Sequence, residues 1–119
     1  MDILNNLDLA KAAAIKAGKI LTSSKANLNI EKASDGKDIK LKADIEAEEI
    51  IKNHISNESN FPMLGEETGK SVEDLGRSFW VIDPLDGTPN YSRGIAICCL
   101  LIALIHDMQP VIGVIYDFN

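Results

Sequence analysis

The chain has few cysteines, and it has no apolar run long enough to cross a bilayer. Its two cysteines, Cys98 and Cys99, are adjacent. Neighbouring side chains on a strand point to opposite faces, so these thiols are poorly placed to form a disulfide with each other. Unpaired thiols are typical of a reducing compartment, and we expect a cytoplasmic protein. The longest apolar stretch, residues 95–105, is shorter than a membrane span and predicts a core strand.

The chain also has few basic residues relative to acidic ones. It contains 12 Lys and Arg against 18 Asp and Glu, a net charge of −6. Because nucleic-acid backbones are bound by clustered Lys and Arg, a nucleic-acid partner is not expected. A small phosphate ester is still compatible, since a divalent cation held by carboxylates turns an acidic cluster into an anion site. The first residues lack the basic segment and apolar run of a signal peptide.

The hydrophobic pattern predicts one α+β domain, with two N-terminal helices packed on a mainly antiparallel sheet. At 119 residues the chain is long enough for a single modest core. Apolar residues recur at helical spacing over residues 2–24 and again over residues 43–56. Strands are predicted at residues 28–33, 37–41, 61–64, 79–82, 95–105 and 111–116, the last two as an antiparallel hairpin. This order differs from the alternating strands and helices of a parallel sheet.

Two carboxylates separated by Pro-Leu follow the strand predicted at residues 79–82. Asp83 precedes a proline, which holds it extended at the end of the strand, and Asp86 comes three residues later. Two carboxylates held close together repel each other unless a cation lies between them. Oxygen ligands with no neighbouring His or Cys favour Mg²⁺, with Mn²⁺ as the alternative, and the Leu85 carbonyl can supply a further ligand. The stretch therefore predicts a magnesium site.

The residues after the second aspartate are suited to bind a phosphate group. Gly87 allows the backbone to approach an anion closely. Thr88 and Pro89 are typical of the N-cap and the first position of a short helix, whose N-terminal N–H groups can bind a phosphate. Metal ligands, backbone amides and a hydroxyl are therefore predicted around one phosphate.

Three other structures can bring two aspartates and a glycine together. The simplest is a hairpin turn, but about a dozen polar or turn-forming residues separate the flanking apolar runs, more than a hairpin needs. A calcium-binding loop has acids at alternate positions, a pattern that Pro84 and Leu85 break. A phosphatase that forms an aspartyl-phosphate has its nucleophile two residues before the second aspartate, where this chain has Pro84. Water is therefore the expected nucleophile.

Residues 80–91, WVIDPLDGTPNY, resemble the signature of the inositol monophosphatase family. Upstream, residues 65–68, GEET, are similar to that family's Gly-Glu-Glu-Ser/Thr segment. Asp38 and Asp44 resemble the two aspartates of its Asp-x-Val-Thr-x-x-Asp segment, and the hairpin that ends at residues 110–116 is also similar. The segments occur in the family's order over nearly the whole chain.

The resemblance implies Mg²⁺-dependent hydrolysis of a phosphate monoester, inositol monophosphate or a similar sugar phosphate, by metal-activated water. It implies that Asp44 and Thr88 orient the attacking water. The implied metal ligands are the side chains of Glu66, Asp83 and Asp86 and the carbonyl of Leu85. The implied substrate contacts are Glu66, Asp86, Gly87 and Thr88. It also implies a layered α/β sugar-phosphatase-type fold and a homodimer.

The chain departs from the family's pattern in three ways. Lys40-Leu41 replaces the Val-Thr pair, so a hydroxyl near Asp44 is lost, and Pro89 stands where many members have a polar residue. Family members are also much longer, and their later Trp-Asp segment, which adds a metal ligand, is absent. We therefore expect residues 1–119 to be the N-terminal, metal-binding portion of such an enzyme, with the C-terminal half missing and little activity of its own.

Other functions stay open at the level of sequence. Fructose-1,6-bisphosphatase and 3′-phosphonucleotide phosphatase activities are near alternatives, because the residues that select the substrate ring lie in the missing half. A non-catalytic scaffold that binds protein or RNA is a different class, disfavoured by the intact metal ligands and the acidic charge. Glu66 and Glu67 can also be read as solvated loop acids, and Asp44 as a favourable charge at a helix start.

Overall fold

The computed structural model describes residues 1–23, 28, 31–35 and 38–119, which form an α+β fold with two long helices on one face of a sheet. In chain order the elements are α1 (Ile3–Ser23), β1 (Glu31–Asp35), β2 (Asp38–Leu41), α2 (Lys42–Ser56), β3 (Met63–Gly65), β4 (Gly69–Lys70), β5 (Ser78–Asp86), α3 (Thr88–Ser92), β6 (Cys99–His106) and β7 (Gln109–Tyr116). β1 and β2 form a separate antiparallel pair. The fold class predicted from the sequence is confirmed.

Within the described residues, the main sheet has five strands in the order β4-β3-β5-β6-β7. Neighbouring strands from β5 to β7 are antiparallel, and so are β3 and β4, whereas β3 runs parallel to β5. Gly65, the last residue of β3, pairs with Ile82. Because the two strands are parallel, the residue after Gly65 lies beside Asp83, the residue after Ile82.

The core lies between the two long helices and one face of the sheet. Alternate residues of β5 and β6 point to the helices and are fully buried: Trp80, Ile82, Leu100, Ile102 and Leu104. α1 packs on β6 and β7, α2 packs on β5, and the two helices pack on each other. Each fully buried large apolar side chain contributes about 1.5–3 kcal/mol, so this layer supplies most of the stabilisation.

The other face of the sheet is also apolar but is much less covered. Val81, Leu101 and Ala103 are only half-buried, and Ile115 on β7 is 73% exposed. Cross-strand pairing of Val81 with Ala103 and of Leu101 with Ile115 places these residues on one face. We refer to this side of the sheet as the open face.

Several predicted strand boundaries differ from the observed ones. Leu28, predicted to open a strand, has helical backbone, and β1 begins at Glu31. Residues 24–27, 29–30 and 36–37 lie outside the described residues, so the strands predicted at 28–33 and 37–41 are tested only in part. Between the strands predicted at residues 61–64 and 79–82 lies the short strand β4, where no strand was predicted.

The long apolar run predicted as one strand from residue 95 begins as a loop. β6 starts at Cys99, and Ile97 is 71% exposed. The carbonyl of Ile97 accepts a hydrogen bond from the Asn90 side chain at 2.9 Å instead of one from a neighbouring strand. The apolar composition of residues 95–98 predicts a strand. In the structure the Ile97 carbonyl is hydrogen-bonded to the Asn90 side chain, and the strand begins only at Cys99.

Two sequence-based expectations concerned membrane-spanning segments and the two cysteines. Within the described residues, no helix combines the length and apolarity that a membrane span requires. Cys98 and Cys99 are both free thiols, the first buried and the second half-buried, as the spacing predicted.

Candidate active site

A bulge in β5 places the two aspartates of the central stretch on the same face of the sheet. Asp83 pairs with Leu101 and Asp86 with Cys99, so three steps along β5 oppose two steps along β6. In a regular strand, residues three apart point to opposite faces, but one extra residue in a bulge restores a common direction. Both carboxylates therefore lie on the open face. β5 continues to Asp86, so the prediction that the strand ends at Asp83 was wrong.

Glu66 lies beside Asp83 at the end of β3. Its backbone N–H donates to the Ile82 carbonyl at 3.1 Å, which continues the parallel pairing by one residue. The side-chain hydrogen bond with Asp83, together with burial and the negative charges of Asp83 and Glu67, raises the pKa of Glu66 to about 8. In the absence of a cation, Glu66 therefore keeps its proton at neutral pH and can donate it to the neighbouring carboxylate.

Asp44 and Thr88 form a buried hydrogen-bonded pair next to the bulge. Asp44 is 2% exposed and lies in the first turn of α2. Its Oδ2 accepts the backbone N–H of Leu41 at 2.8 Å, and its Oδ1 accepts the Thr88 hydroxyl at 2.8 Å. Thr88 Oγ1 also lies 3.1 Å from the Leu85 carbonyl oxygen. These contacts join the start of α2 to the end of β5.

Burial sets the ionisation of Asp44. It raises the pKa of this carboxyl to about 6, although the hydrogen bonds from Leu41 and Thr88 act in the opposite direction. Asp44 is therefore mostly ionised at neutral pH and is then an acceptor for the Thr88 hydroxyl. The interpretation of Asp44 as only a charge at a helix start does not account for this contact with Thr88.

Thr88 is not the N-cap that the sequence predicted. The N-cap of α3 is Gly87, with φ 89°, and no side chain caps the helix. Glycine is favoured there because few other residues adopt a left-handed backbone. An added Cβ at Gly87 would also lie 2.8 Å from the Ile97 carbonyl oxygen. The Thr88 hydroxyl is consequently free to bind Asp44 across the site.

Asp86 is separate from the Glu66–Asp83 pair. Its carboxylate is exposed, and in the part of the chain that the structure describes no three His, Cys, Asp or Glu side chains group closely enough to hold a metal ion. Burial and the negative charges of Asp86 and Asp83 raise the pKa of the Cys99 thiol, so both carboxylates act on the same region of the open face.

The oxygen donors at this site are chemically suited to bind a hard divalent cation. The Glu66–Asp83 pair offers oxygen donors that repel each other when both are ionised, which is the condition that a cation relieves. Asp86 and the Leu85 carbonyl are oxygen donors on the adjacent bulge. Carboxylate and carbonyl oxygens are the donors that Mg²⁺ and Mn²⁺ prefer.

One residue of this region was not identified from the sequence. Glu48, on α2, is 1% exposed, and its two carboxylate oxygens accept the backbone N–H groups of Glu67 and Thr68 at 2.9 and 3.1 Å. The sequence shows it only as one of several acids in the first half of a helix. Glu48 lies one residue after Ala47 and three before Ile51, on the apolar stripe of the helix. That spacing was the sequence signal that could have predicted its burial.

Comparison with known proteins identifies related sequences over nearly the whole chain. The profile of the inositol monophosphatase family matches residues 4–118. The fructose-1,6-bisphosphatase/inositol-1-monophosphatase of Aquifex aeolicus is 36% identical over 117 residues, which cover 92% of this chain and 42% of that protein. The histidinol-phosphatase of Streptomyces coelicolor is 37% identical over 121 residues, with coverages of 96% and 44%.

The fold is similar to solved structures as well. The extragenic suppressor protein suhB from Bartonella henselae matches with a TM-score of 0.86 and 31% identity. The match covers 96% of this chain and 45% of that one. The chain therefore spans less than half the length of the relatives that it matches.

Proposed function

The chain belongs to the inositol monophosphatase family, and we propose that it serves in the hydrolysis of a small phosphate monoester. The observation that carries the proposal is the placement of Glu66 beside Asp83, through the pairing of β3 with β5, near the buried Asp44–Thr88 hydrogen bond. Glu66 and Asp83 offer carboxylate ligands for a cation, and Thr88, held by Asp44, offers a hydrogen-bond acceptor for a water molecule. Metal-assisted attack of water on phosphorus requires both.

We assign the cation to the side chains of Glu66, Asp83 and Asp86 and to the Leu85 carbonyl. When bound, Mg²⁺, or Mn²⁺ in its place, lowers the pKa of water and neutralises charge on the transferring phosphoryl group. The single hydroxyl hydrogen of Thr88, when donated to Asp44 Oδ1, leaves the Leu85 carbonyl available as a ligand. This assignment uses oxygen donors of β3 and of the β5 bulge.

We assign the orientation of the attacking water to Thr88 and Asp44. With its hydrogen directed at Asp44, Thr88 Oγ1 presents lone pairs that can accept a hydrogen bond from water. Ionised Asp44 fixes this direction, and it can take up the Thr88 hydroxyl proton as Thr88 Oγ1 receives a proton from the attacking water. Gly87 and Thr88, together with Glu66 and Asp86, are proposed to contact the phosphate.

The proposed substrate is inositol monophosphate or a similar sugar phosphate. The Aquifex aeolicus relative is named both a fructose-1,6-bisphosphatase and an inositol-1-monophosphatase. The Streptomyces coelicolor relative is named a histidinol-phosphatase. All three substrates are small phosphate monoesters, so these relatives support the substrate class more strongly than any one member of it. A 3′-phosphonucleotide is the fourth alternative, and a non-catalytic scaffold for protein or RNA is the alternative outside this class.

We propose that residues 1–119 are the N-terminal, metal-binding portion of the enzyme. The relatives extend to more than twice the matched length, and the open face leaves apolar residues such as Ile115 exposed. A C-terminal half packed on that face would cover them. It would also complete the side of the site opposite Asp83 and Asp86.

We propose that the protein works in the cytoplasm, because the reducing conditions there keep thiols such as Cys98 and Cys99 free. The net charge of −6 disfavours a nucleic-acid partner. A homodimer is proposed from the family resemblance.

Phosphate release by the full-length protein tests this function. We expect release from inositol monophosphate, fructose 1,6-bisphosphate or histidinol phosphate to require Mg²⁺ and to stop with EDTA. The double variant Asp83→Asn, Asp86→Asn should lose both activity and the calorimetric signal of Mg²⁺ binding. Asp74→Asn, at an exposed loop acid, is the matched control. Unchanged Mg²⁺ affinity in the double variant would remove the basis for these assignments and favour the scaffold.

A further inference from the structure

Glu48 is a carboxylate buried in the contact between a helix and the sheet. Its side chain is 1% exposed, and its neighbours on the same face of α2, Ala47 and Ile51, are fully buried. Glutamate is rarely found so deep in a protein unless it is paired, because a buried charge loses its hydration. The placement therefore needs a specific compensation.

The compensation comes from one turn of the backbone. Glu48 Oε1 accepts the N–H of Glu67 at 2.9 Å, and Oε2 accepts the N–H of Thr68 at 3.1 Å. Both oxygens of the buried carboxyl group thereby have a hydrogen-bond partner, as buried polar atoms in proteins generally do. Lys52, one helical turn further on, donates from Nζ to Thr68 Oγ1 at 2.9 Å. α2 thus holds the turn between β3 and β4 at two points.

The same carboxylate also contacts the residue before Glu66. A Cβ added to Gly65 would overlap Glu48 Oε1, so only glycine leaves room for the carboxylate there. Gly65 faces the helices because it pairs with the buried Ile82. Glu66, the next residue, points the other way, to the open face and Asp83. Glu48 therefore fixes the backbone on both sides of Glu66 from the opposite side of the sheet.

We propose that Glu48 is a positioning residue that holds Glu66 in the direction from which its carboxylate reaches a divalent cation. This inference rests on the proposed function, in which Glu66 is a metal ligand. Glu48 itself does not touch the cation or the substrate. Residues that orient a metal ligand in this way commonly change metal affinity when they are replaced.

The test compares Glu48→Gln with Glu49→Gln in the full-length protein. Glutamine keeps the volume of Glu48, but its NH₂ group would face a backbone N–H, so one hydrogen bond to the turn is lost. Glu49 is the exposed neighbour on α2, and its substitution makes the same replacement of a carboxyl group by an amide. We expect the Mg²⁺ dissociation constant, measured by calorimetry, to rise about 10-fold or more for Glu48→Gln. Glu49→Gln should match the unsubstituted protein.

Two further readouts separate positioning from general stability. Excess Mg²⁺ should restore the kcat of Glu48→Gln, with the KM for the substrate unchanged, because the defect is in metal affinity. In the unsubstituted, metal-free protein, hydrogen exchange should show the Glu67 and Thr68 amides protected. This measurement needs no variant, so it applies even if Glu48→Gln does not fold.

Three outcomes would overturn the inference. Equal Mg²⁺ dissociation constants for the two variants would show that Glu48 does not act on the metal site, while leaving the proposed function intact. Rapid exchange of both amides would show that Glu48 does not hold the turn. Absence of Mg²⁺ binding in the unsubstituted protein would overturn the proposed function, and this inference with it.

Discussion

At the scale of single residues, the site depends on a buried carboxylate whose hydrogen bonds and burial oppose each other. Asp44 accepts hydrogen bonds from Leu41 and Thr88, which favour the ionised form, yet burial is the larger effect. A carboxyl group with a raised pKa changes its protonation near the pH at which many enzymes work. The balance at Asp44 therefore has a measurable consequence for stability.

We expect Asp44 to make the free energy of unfolding fall with rising pH. Its pKa rises from 3.8 to about 6 in the folded protein, so the native state binds this proton more tightly than the unfolded chain does. The resulting stabilisation is fully present below about pH 4 and is lost as the pH passes through about 6. Asp44→Asn cannot titrate. The wild-type stability minus that of the variant should fall by roughly 3 kcal/mol at most over this range.

Urea denaturation of both proteins between pH 4 and 7, in EDTA, measures this difference. EDTA is needed because a bound cation would change the charges around the site. Glu49→Gln, at an exposed acid of the same helix, is the control for replacing a carboxyl group of α2 by an amide. A stability difference for Asp44→Asn that is constant with pH would contradict the prediction.

Replacement of Thr88 tests the hydroxyl that joins Asp44 to the bulge. Thr88→Ala removes the donor to Asp44, and we expect kcat to fall by about 10²–10⁴, the range typical of a lost proton-transfer group. It also leaves a buried carboxylate oxygen without its partner, at a cost of about 1–3 kcal/mol in stability. Thr88→Ser retains the hydroxyl and should keep most of the activity. Equal activities of the two variants, assayed at saturating Mg²⁺, would rule out this role.

At the scale of elements, the bulge in β5 decides the geometry of the site. Without it, Asp83 and Asp86 would point to opposite faces of the sheet, and only one of them could join Glu66. Pro84 and Leu85 occupy the irregular part of the strand, where a ladder hydrogen bond is not required of the proline nitrogen. The buried side chain of Leu85 anchors the bulge in the core.

A second element contact, between α1 and β7, can be tested at Gly18. A Cβ there would lie 2.5 Å from Tyr116 Cε2 and 3.0 Å from Phe118 Cβ. Helix propensity alone favours alanine over glycine by about 1 kcal/mol, whereas overpacking typically costs about 1–3 kcal/mol. Because the tyrosine ring is rigid, we expect overpacking to prevail and Gly18→Ala to be destabilised. Chemical denaturation measures this, and a gain in stability would show that α1 can move away from β7.

At the scale of the whole molecule, the sheet has one covered and one open face, and the site lies on the open one. Glu66, Asp83 and Asp86 all project to that side, while Glu48 and Asp44 approach from the helix layer. A cation on the open face would therefore be bound from one side by the described residues. The proposed C-terminal half would supply the other side.

We expect the 119-residue polypeptide alone to have kcat/KM for phosphate release about 100-fold or more below that of the full-length protein, since a site that lacks a ligand binds its metal weakly. The assay compares both proteins at equal concentration in Mg²⁺. The exposed apolar residues of the open face should also make the short polypeptide bind a hydrophobic dye more strongly. Robust turnover by the short polypeptide would contradict the proposal that it is a part of the enzyme.

The sequence by itself determined the fold class, the two long helices and the identity of the central acidic stretch. Helical spacing in residues 3–23 and 42–56 is a local property, because one apolar stripe must face the core whatever the rest of the chain does. The Asp83-Pro84-Leu85-Asp86 segment predicted oxygen ligands from side-chain chemistry alone. The family was likewise recognisable from short contiguous segments.

Only the tertiary structure decided how these residues meet. The extra residue in β5 becomes a bulge only through its register with β6, and that register sets the direction of Asp86. The Thr88 hydroxyl could have capped its own helix, but Asp44, 44 residues earlier in the chain, receives it instead. Glu48 is one of several similar acids until the turn after β3 folds onto it. Each of these outcomes is a contact between distant segments, and local propensity carries no information about such contacts.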